Sequence, residues 1–267
     1  MKRVVGRNIY ITSLSTVLAK VGDVSHLAGL ADKCHFKALW LRLGRGTTLD
    51  ANFSGGHVND LRAALDQVGV ELWGWHVPFC ANQSDAAAEG ANVSNWAEQF
   101  NLGGVIIDAE RTNESPRFRG HAAEATTYMT RIAHDLSAHD RGLALSSHDQ
   151  PLLHTDLPFE PFLSQVNDNC PQVYYRTENI ITRLDKSVHD YKIAEAARNF
   201  RDRYRPTGNV TVKGDIPFSS VHACLAATRN FITAVDQRGY GGYSFWCMDE
   251  APKELWPLLE DLPPAVS

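Results

Sequence analysis

The sequence lacks the features that mark several protein classes. Its five cysteines, Cys34, Cys80, Cys170, Cys224 and Cys247, are scattered and odd in number, and no two form a Cys-x-x-Cys pair. That spacing argues against a disulfide framework or a structural zinc site, and buried free thiols are expected instead. Positive charge is not in excess: 26 Lys and Arg stand against 31 Asp and Glu, a formal net charge of -5. No nucleic-acid partner is expected from that balance. No apolar run approaches the ~18 residues of a membrane span, so no membrane partner is expected either. Met1-Lys2-Arg3-Val4-Val5-Gly6-Arg7 is basic, but Asn8, Thr12, Ser13 and Ser15 break up the stretch after it. A secretory signal needs an uninterrupted apolar stretch there. The expectation is a protein cytoplasmic as synthesised, which phage delivery or another export route would have to bring to an external substrate. No low-complexity tract, repeat or Pro/Gly linker divides residues 1–267, which are read as one domain.

What is present is an alternation. Short β-branched or aromatic runs alternate with helical patterns, in units of roughly 30 residues. Strands are expected at 8–12, 37–43, 71–77, 105–110, 142–147, 172–175, 209–215 and 242–246. Helices are expected at 17–33 (with a break near Gly22-Asp23), 57–68, 85–100, 122–139, 190–204, 219–238 and 252–259. Between the fifth and sixth strands only a short helical turn at 158–162 is expected. Eight strands in 267 residues match a single (β/α)8 barrel, an α/β fold of roughly 250 residues. A doubly wound open sheet is the alternative.

The chain is organised around Gly103-Gly104-Val105-Ile106-Ile107-Asp108-Ala109-Glu110. The apolar run reads as a strand buried on both faces. Asp108 and Glu110 extend it and, at a period of two, point to the same side. Two carboxylates there are costly unless paired or used. In a barrel, ligands gather at the C-terminal strand ends. The other residues expected at those ends include Arg42, His76, Ser147, His148, Asp149, Tyr174, Asp215, Trp246 and Asp249. Carboxylates among aromatic rings suit carbohydrate: rings stack on sugar faces while acids act on the glycosidic bond.

Three stretches carry a resemblance. Val105-Ile106-Ile107-Asp108-Ala109-Glu110 resembles the fourth strand of glycoside hydrolase family 25, the lysozyme-type muramidases, and more distantly that of family 18 chitinases. Pro171-Gln172-Val173-Tyr174-Tyr175 and Gly242-Tyr243-Ser244-Phe245-Trp246 resemble the sixth and last strands of such barrels. Two departures mark a divergent relative. The first strand, Ile9-Tyr10-Ile11-Thr12, carries no carboxylate where family 25 has an aspartate. Gly104 and Ile106 stand where family 18 has further acids.

The resemblance implies cleavage of a β-linked polymer of N-acetylated amino sugars, of peptidoglycan or chitin type. It implies Glu110 as general acid/base and Asp108 as the acid that orients it and balances charge. His76, Tyr174, Trp246, Arg42, Gln172, His148 and Asp149 are the expected substrate-binding residues. No cofactor and no resident metal are expected. Two alternatives stay open. One is a divalent-metal enzyme ligated by Asp108, Glu110, His148 and Asp215 or Asp149. The other is a carbohydrate-binding barrel without catalysis.

Overall fold

The structure is a computed structural model that describes residues 1–111, 117–175, 179–195, 199–214 and 216–265. Eight parallel strands close into a barrel: β1 (Gly6–Ile11), β2 (Phe36–Arg45), β3 (Glu71–Val77), β4 (Gly104–Asp108), β5 (Gly142–His148), β6 (Asp168–Gln172), β7 (Thr207–Asn209) and β8 (Gly242–Trp246). Each pairs with the next, and β8 returns to β1 through Gly6 opposite Gly242 and Asn8 opposite Ser244. The expected (β/α)8 barrel is therefore the fold. The end of β2 also forms a small antiparallel hairpin with Thr48–Leu49.

The helices are α1 (Leu14–Val21), α2 (Val24–Lys33), α3 (His57–Val68), α4 (Gln83–Gln99), α5 (Ala122–Ala138), α6 (Phe159–Leu163), α7 (Ile180–Ala194), α8 (Phe200–Arg203), α9 (Val221–Arg238) and α10 (Leu255–Asp261). The break near Gly22-Asp23 is real: Asp23 caps α2 by accepting from the His26 amide. Ser220 likewise caps α9 through the Ala223 amide. The connection from β5 to β6 holds only a 3-10 turn at Pro151–Leu153 and the five-residue α6.

Three expected boundaries move. β6 spans 168–172, not 172–175, because its first residue is anchored from below. The Val4 amide donates to Asp168 at 2.7 Å, and Arg3 pairs with the same carboxylate at 2.7 Å. Tyr174 and Tyr175 thus lie beyond the strand. β7 spans only 207–209, so the apolar positions Val210 and Val212 belong to the loop after it. The helix expected at 190–204 is instead α7, which starts ten residues earlier, and the short α8. Its buried stripe, Ile180, Leu184, Ser187 and Tyr191, has a polar member and is easily overlooked.

Side chains alternate between two apolar layers. Ile9, Ile11, Leu39, Leu41, Val105, Ile107, Leu143 and Leu145 face the helices. Tyr10, Trp40, Trp73, Trp75, Ile106, Ala144 and Cys170 fill the barrel interior. Tyr10 packs edge-on to Trp40 at 4.8 Å and to Trp75 at 5.9 Å between ring centroids. Glycine makes room for one of these rings. A Cβ added at Gly104 or Gly142 would come within 2.6 Å or 2.2 Å of Trp73. All five cysteines are buried and free.

Candidate active site

β4 delivers Asp108 to the upper end of the barrel interior, and Glu110 comes two residues later. Gln172, the last residue of β6, binds both: its Nε2 donates to Asp108 Oδ1 at 2.8 Å and to Glu110 Oε1 at 2.7 Å. Ser146 Oγ of β5 lies 3.3 Å from the same nitrogen. Arg117 lies over the pair, with Nη1 3.2 Å from Glu110 and 3.4 Å from Asp108. The two acids differ in access: the Asp108 side chain is 3% exposed and that of Glu110 16%. Glu110 is thus the one open to a ligand. Burial pushes the Asp108 carboxyl well above the usual carboxylate range, the neighbouring Glu110 adds to the rise, and Arg117 and Arg45 offset part of it. The charged form of Asp108 is therefore the costly one.

Aromatic rings flank the acids. Trp246, at the end of β8, has its ring centroid 5.5 Å from Tyr10, 5.6 Å from Trp75 and 6.3 Å from Tyr174. The Trp246–Cys247 peptide is cis. Burial raises the Tyr174 phenol well above its ordinary value, and Tyr10, Asp108 and Glu110 raise it further. Tyr174 therefore stays a neutral hydroxyl donor beside the pair. Arg42 lies 5.8 Å from the Trp75 ring centroid and is held by Asp50 at 2.5 Å.

The remaining candidates are placed elsewhere. His76 sits on the helix-facing side of β3, because Trp75 and Val77 take the interior positions. It is fully buried, with Nδ1 2.8 Å from Tyr128 Oη and Nε2 2.8 Å from the Gly46 carbonyl. Its contacts are with α5 and the loop after β2, not with the acids. His148 contacts the backbone of Arg111, 3.1 Å from its carbonyl oxygen, and stacks on His154 with centroids 3.6 Å apart. It props the segment that carries Glu110. Asp149 is taken up by a two-pronged pair with Arg183, at 2.6 and 3.0 Å. Asp249 accepts from the Thr12 and Ser13 amides at 2.7 and 2.6 Å and fixes the start of α1. Asp215 lies outside the described residues. Among the described residues, no three His, Cys, Asp or Glu side chains cluster as metal ligands.

Arg117, Arg45 and Ser146 carry no signal that picks them out in the sequence. Gly44-Arg45-Gly46 is legible only as a loop, and Arg117 belongs to no periodic pattern or motif. Neither of two larger clefts includes the acids. One of about 510 Å³ includes Tyr174, Arg183 and Lys186. Another of about 890 Å³ lies between α1, α2 and α10 on the barrel's flank.

The chain is a (β/α)8 barrel with two carboxylates at the end of β4. Solved structures share that fold across almost the whole chain. A chitinase from Bacteroides thetaiotaomicron is 10% identical, with 97% of this chain and 95% of that one covered and a TM-score of 0.69. The spore cortex-lytic enzyme SleL of Bacillus cereus is 12% identical, with 98% and 76% covered and a TM-score of 0.65. A family 18 chitinase from Cycas revoluta, solved with (GlcNAc)4, is 9% identical, with 96% and 99% covered and a TM-score of 0.65. The family 18 resemblance is supported at the level of fold, and the family 25 resemblance is not. No family model matches the sequence. No curated protein sequence matches it either.

Proposed function

We propose that the protein is a glycoside hydrolase acting on a β-linked polymer of N-acetylated amino sugars, of chitin or peptidoglycan type. The observation that carries this reading is the Asp108–Glu110 pair, held by Gln172 and flanked by Tyr174 and Trp246. The fold it shares with chitinases and a cortex-lytic enzyme supports it.

The sugar lies with its apolar face on Trp246. Asp108 passes its proton to Glu110 and becomes a carboxylate. Glu110 gives the proton to the glycosidic oxygen as the bond to C1 breaks. The acetamido carbonyl oxygen of the same sugar bonds to C1, so the substrate supplies the nucleophile. Asp108 balances the charge spread onto the acetamido nitrogen, and Tyr174 hydrogen-bonds that group. Water then attacks C1, Glu110 takes its proton, and the C1–acetamido bond reopens.

The test is release of reducing ends from purified peptidoglycan and from chitin oligomers by the parent protein and by Glu110→Gln. Turnover by the parent that is lost in the variant is expected. No turnover of either polymer by the parent would refute the reading. A second reading, a carbohydrate-binding barrel without turnover, is favoured by Arg117, which lies over both acids where a glycosidic oxygen would approach. Oligosaccharide binding without cleavage, equal in parent and Glu110→Gln, would identify it.

A further inference from the structure

The groove of about 890 Å³ on the barrel's flank is built from segments that the acid site does not use. Its floor is apolar. Val17 and Val21 of α1, Leu30 of α2, Met248 and Pro252 of the loop after β8, and Trp256 of α10 line it. Gly29 of α2 lines it too and leaves it wide. A glycine in the middle of a ten-residue helix costs stability relative to alanine. Nothing beside Gly29 requires one: its φ is not positive, and a Cβ there would meet no atom within 4 Å beyond the backbone of its own helix. What the missing side chain leaves behind is open groove.

Charge is uneven along the groove. Three lysines line its upper end. Lys20 donates to the Asp249 carbonyl. Lys213 follows Val212, whose amide donates to the Glu250 carbonyl at 3.3 Å, and Lys253 is in the same loop as Glu250. Lys213 and Lys253 are exposed, and among the described residues neither makes a side-chain hydrogen bond or ion pair. Glu250 is the one acid among the described residues lining this end, and it packs against Gly214, where a Cβ would collide with its carboxylate. The lower end lies where Arg7, at the start of β1, holds the Cys34 and Leu259 carbonyls. There Lys33 and Glu260 line the groove and offset each other. His26, between the ends, is paired with Asp23 at 2.9 Å.

An apolar channel with surplus positive charge at one end is complementary to a ligand with an anionic head and an apolar tail. Lysine suits the head, because its stem lies along apolar surface while its ammonium stays in water. The ten residues of α2 give a length of about 15 Å, which an extended chain of about twelve carbons matches. We propose that this groove binds a single-chain fatty carboxylate, with its head at Lys20, Lys213 and Lys253 and its chain over Leu30 and Trp256 between α2 and α10. The site is separate from the acid pair and does not rest on the glycosidase reading.

The test is calorimetric titration of the whole chain with octanoate, decanoate and dodecanoate, each below its micelle concentration. Affinity should rise about tenfold for every two carbons added, because each methylene leaves water. Decanoate should bind about fivefold tighter than decanol, the scale of an exposed ion pair. Added salt should erode that difference. The double variant Lys213→Gln, Lys253→Gln should remove most of it and leave decanol binding unchanged. Gly29→Leu fills the groove and should weaken every ligand at least about tenfold, with a melting temperature at or above the parent's, because leucine is the better helix former. The lysine variant changes only exposed side chains, so it decides the question alone if Gly29→Leu fails to fold.

Four results would overturn the proposal. One is binding that Gly29→Leu leaves intact. Another is equal affinity for decanoate, decanol and decyltrimethylammonium. A third is binding to phosphatidylglycerol vesicles without binding of decanoate, which would make the groove a membrane-docking face. The last is a ligand-free dimer in sedimentation that Gly29→Leu disperses, since a second copy would then fill the groove.

Discussion

Lowering the pH from 7 to 4 should cost this fold about 3 kcal/mol through His76 alone. The Gly46 carbonyl can only accept, so Nε2 carries the ring proton and donates to it. Nδ1 then offers its lone pair to the Tyr128 hydroxyl, 2.8 Å away. A second ring proton has no acceptor unless that hydroxyl turns, and the ring is fully buried. Burial holds the imidazole at about 4 against an ordinary 6.5. The folded pKa is depressed, so the unfolded chain binds the extra proton first. The stabilising contribution is complete above pH 6.5 and is lost as pH falls towards 4. At about 1.36 kcal/mol per pH unit, and with the folded ring half-titrated at the end of the window, the loss is about 3 kcal/mol. Total stability does not isolate this effect, because burial raises Asp108, Glu89 and Asp149 in the opposite sense. The assay is therefore a difference. Urea unfolding of the parent and of His76→Gln is measured at pH 7 and pH 4. The parent's advantage should shrink by about 3 kcal/mol between the two. An advantage that stays constant across the window would refute the reasoning.

Three further outcomes are expected. Glu195 is fully buried and bound by Arg203 at 2.5 Å and by Asn169 at 2.9 Å, so Glu195→Gln takes a negative charge away from a largely buried guanidinium. It should lower the unfolding free energy by about 3 kcal/mol or more in urea titration. Asp149→Asn breaks the pair with Arg183, which is 42% exposed, and should cost only about 1 kcal/mol, with turnover unchanged in a reducing-end assay. Gln172→Leu removes the donor common to both acids. It should lower kcat about a hundredfold with a melting temperature close to the parent's, because the position is half-buried and bears on charge placement more than on packing.

Local pattern is legible in the sequence, and long-range ties are not. The alternation of β1 to β5 and β8 places those strands within a few residues, because Val, Ile, Leu and Trp at period two have one way to bury both faces. β6 moves because what starts it is a long-range tie: Asp168 is fixed by Arg3 and Val4, 165 and 164 residues away in sequence. No local pattern carries that information. Within the site, Asp108 and Glu110 are legible from spacing, and Gln172 and Trp246 from motif. His76 belongs to the strand end by position, but a period of two gives it the face opposite Trp75. Arg45 ends β2 where it enters a hairpin, and Arg117 belongs to no strand or helix, so tertiary contact sets the position of both.

The packing of the barrel also explains why the two carboxylates differ. Trp73 fits the interior because Gly104 and Gly142 have no side chain to oppose it. With Trp40, Trp75, Tyr10 and Ile106 it fills the barrel below Asp108. Asp108 therefore stands on an apolar floor that admits little water, and its charged form is the costly one. Glu110 lies two residues further along β4's direction, above that floor and more exposed. The same strand thus provides a carboxyl closed off from water and a carboxyl open to it. The difference comes from large rings and small glycines remote from any substrate. Acid/base assignments of this kind rest on unequal environments, and here a single step of two residues makes the environments unequal.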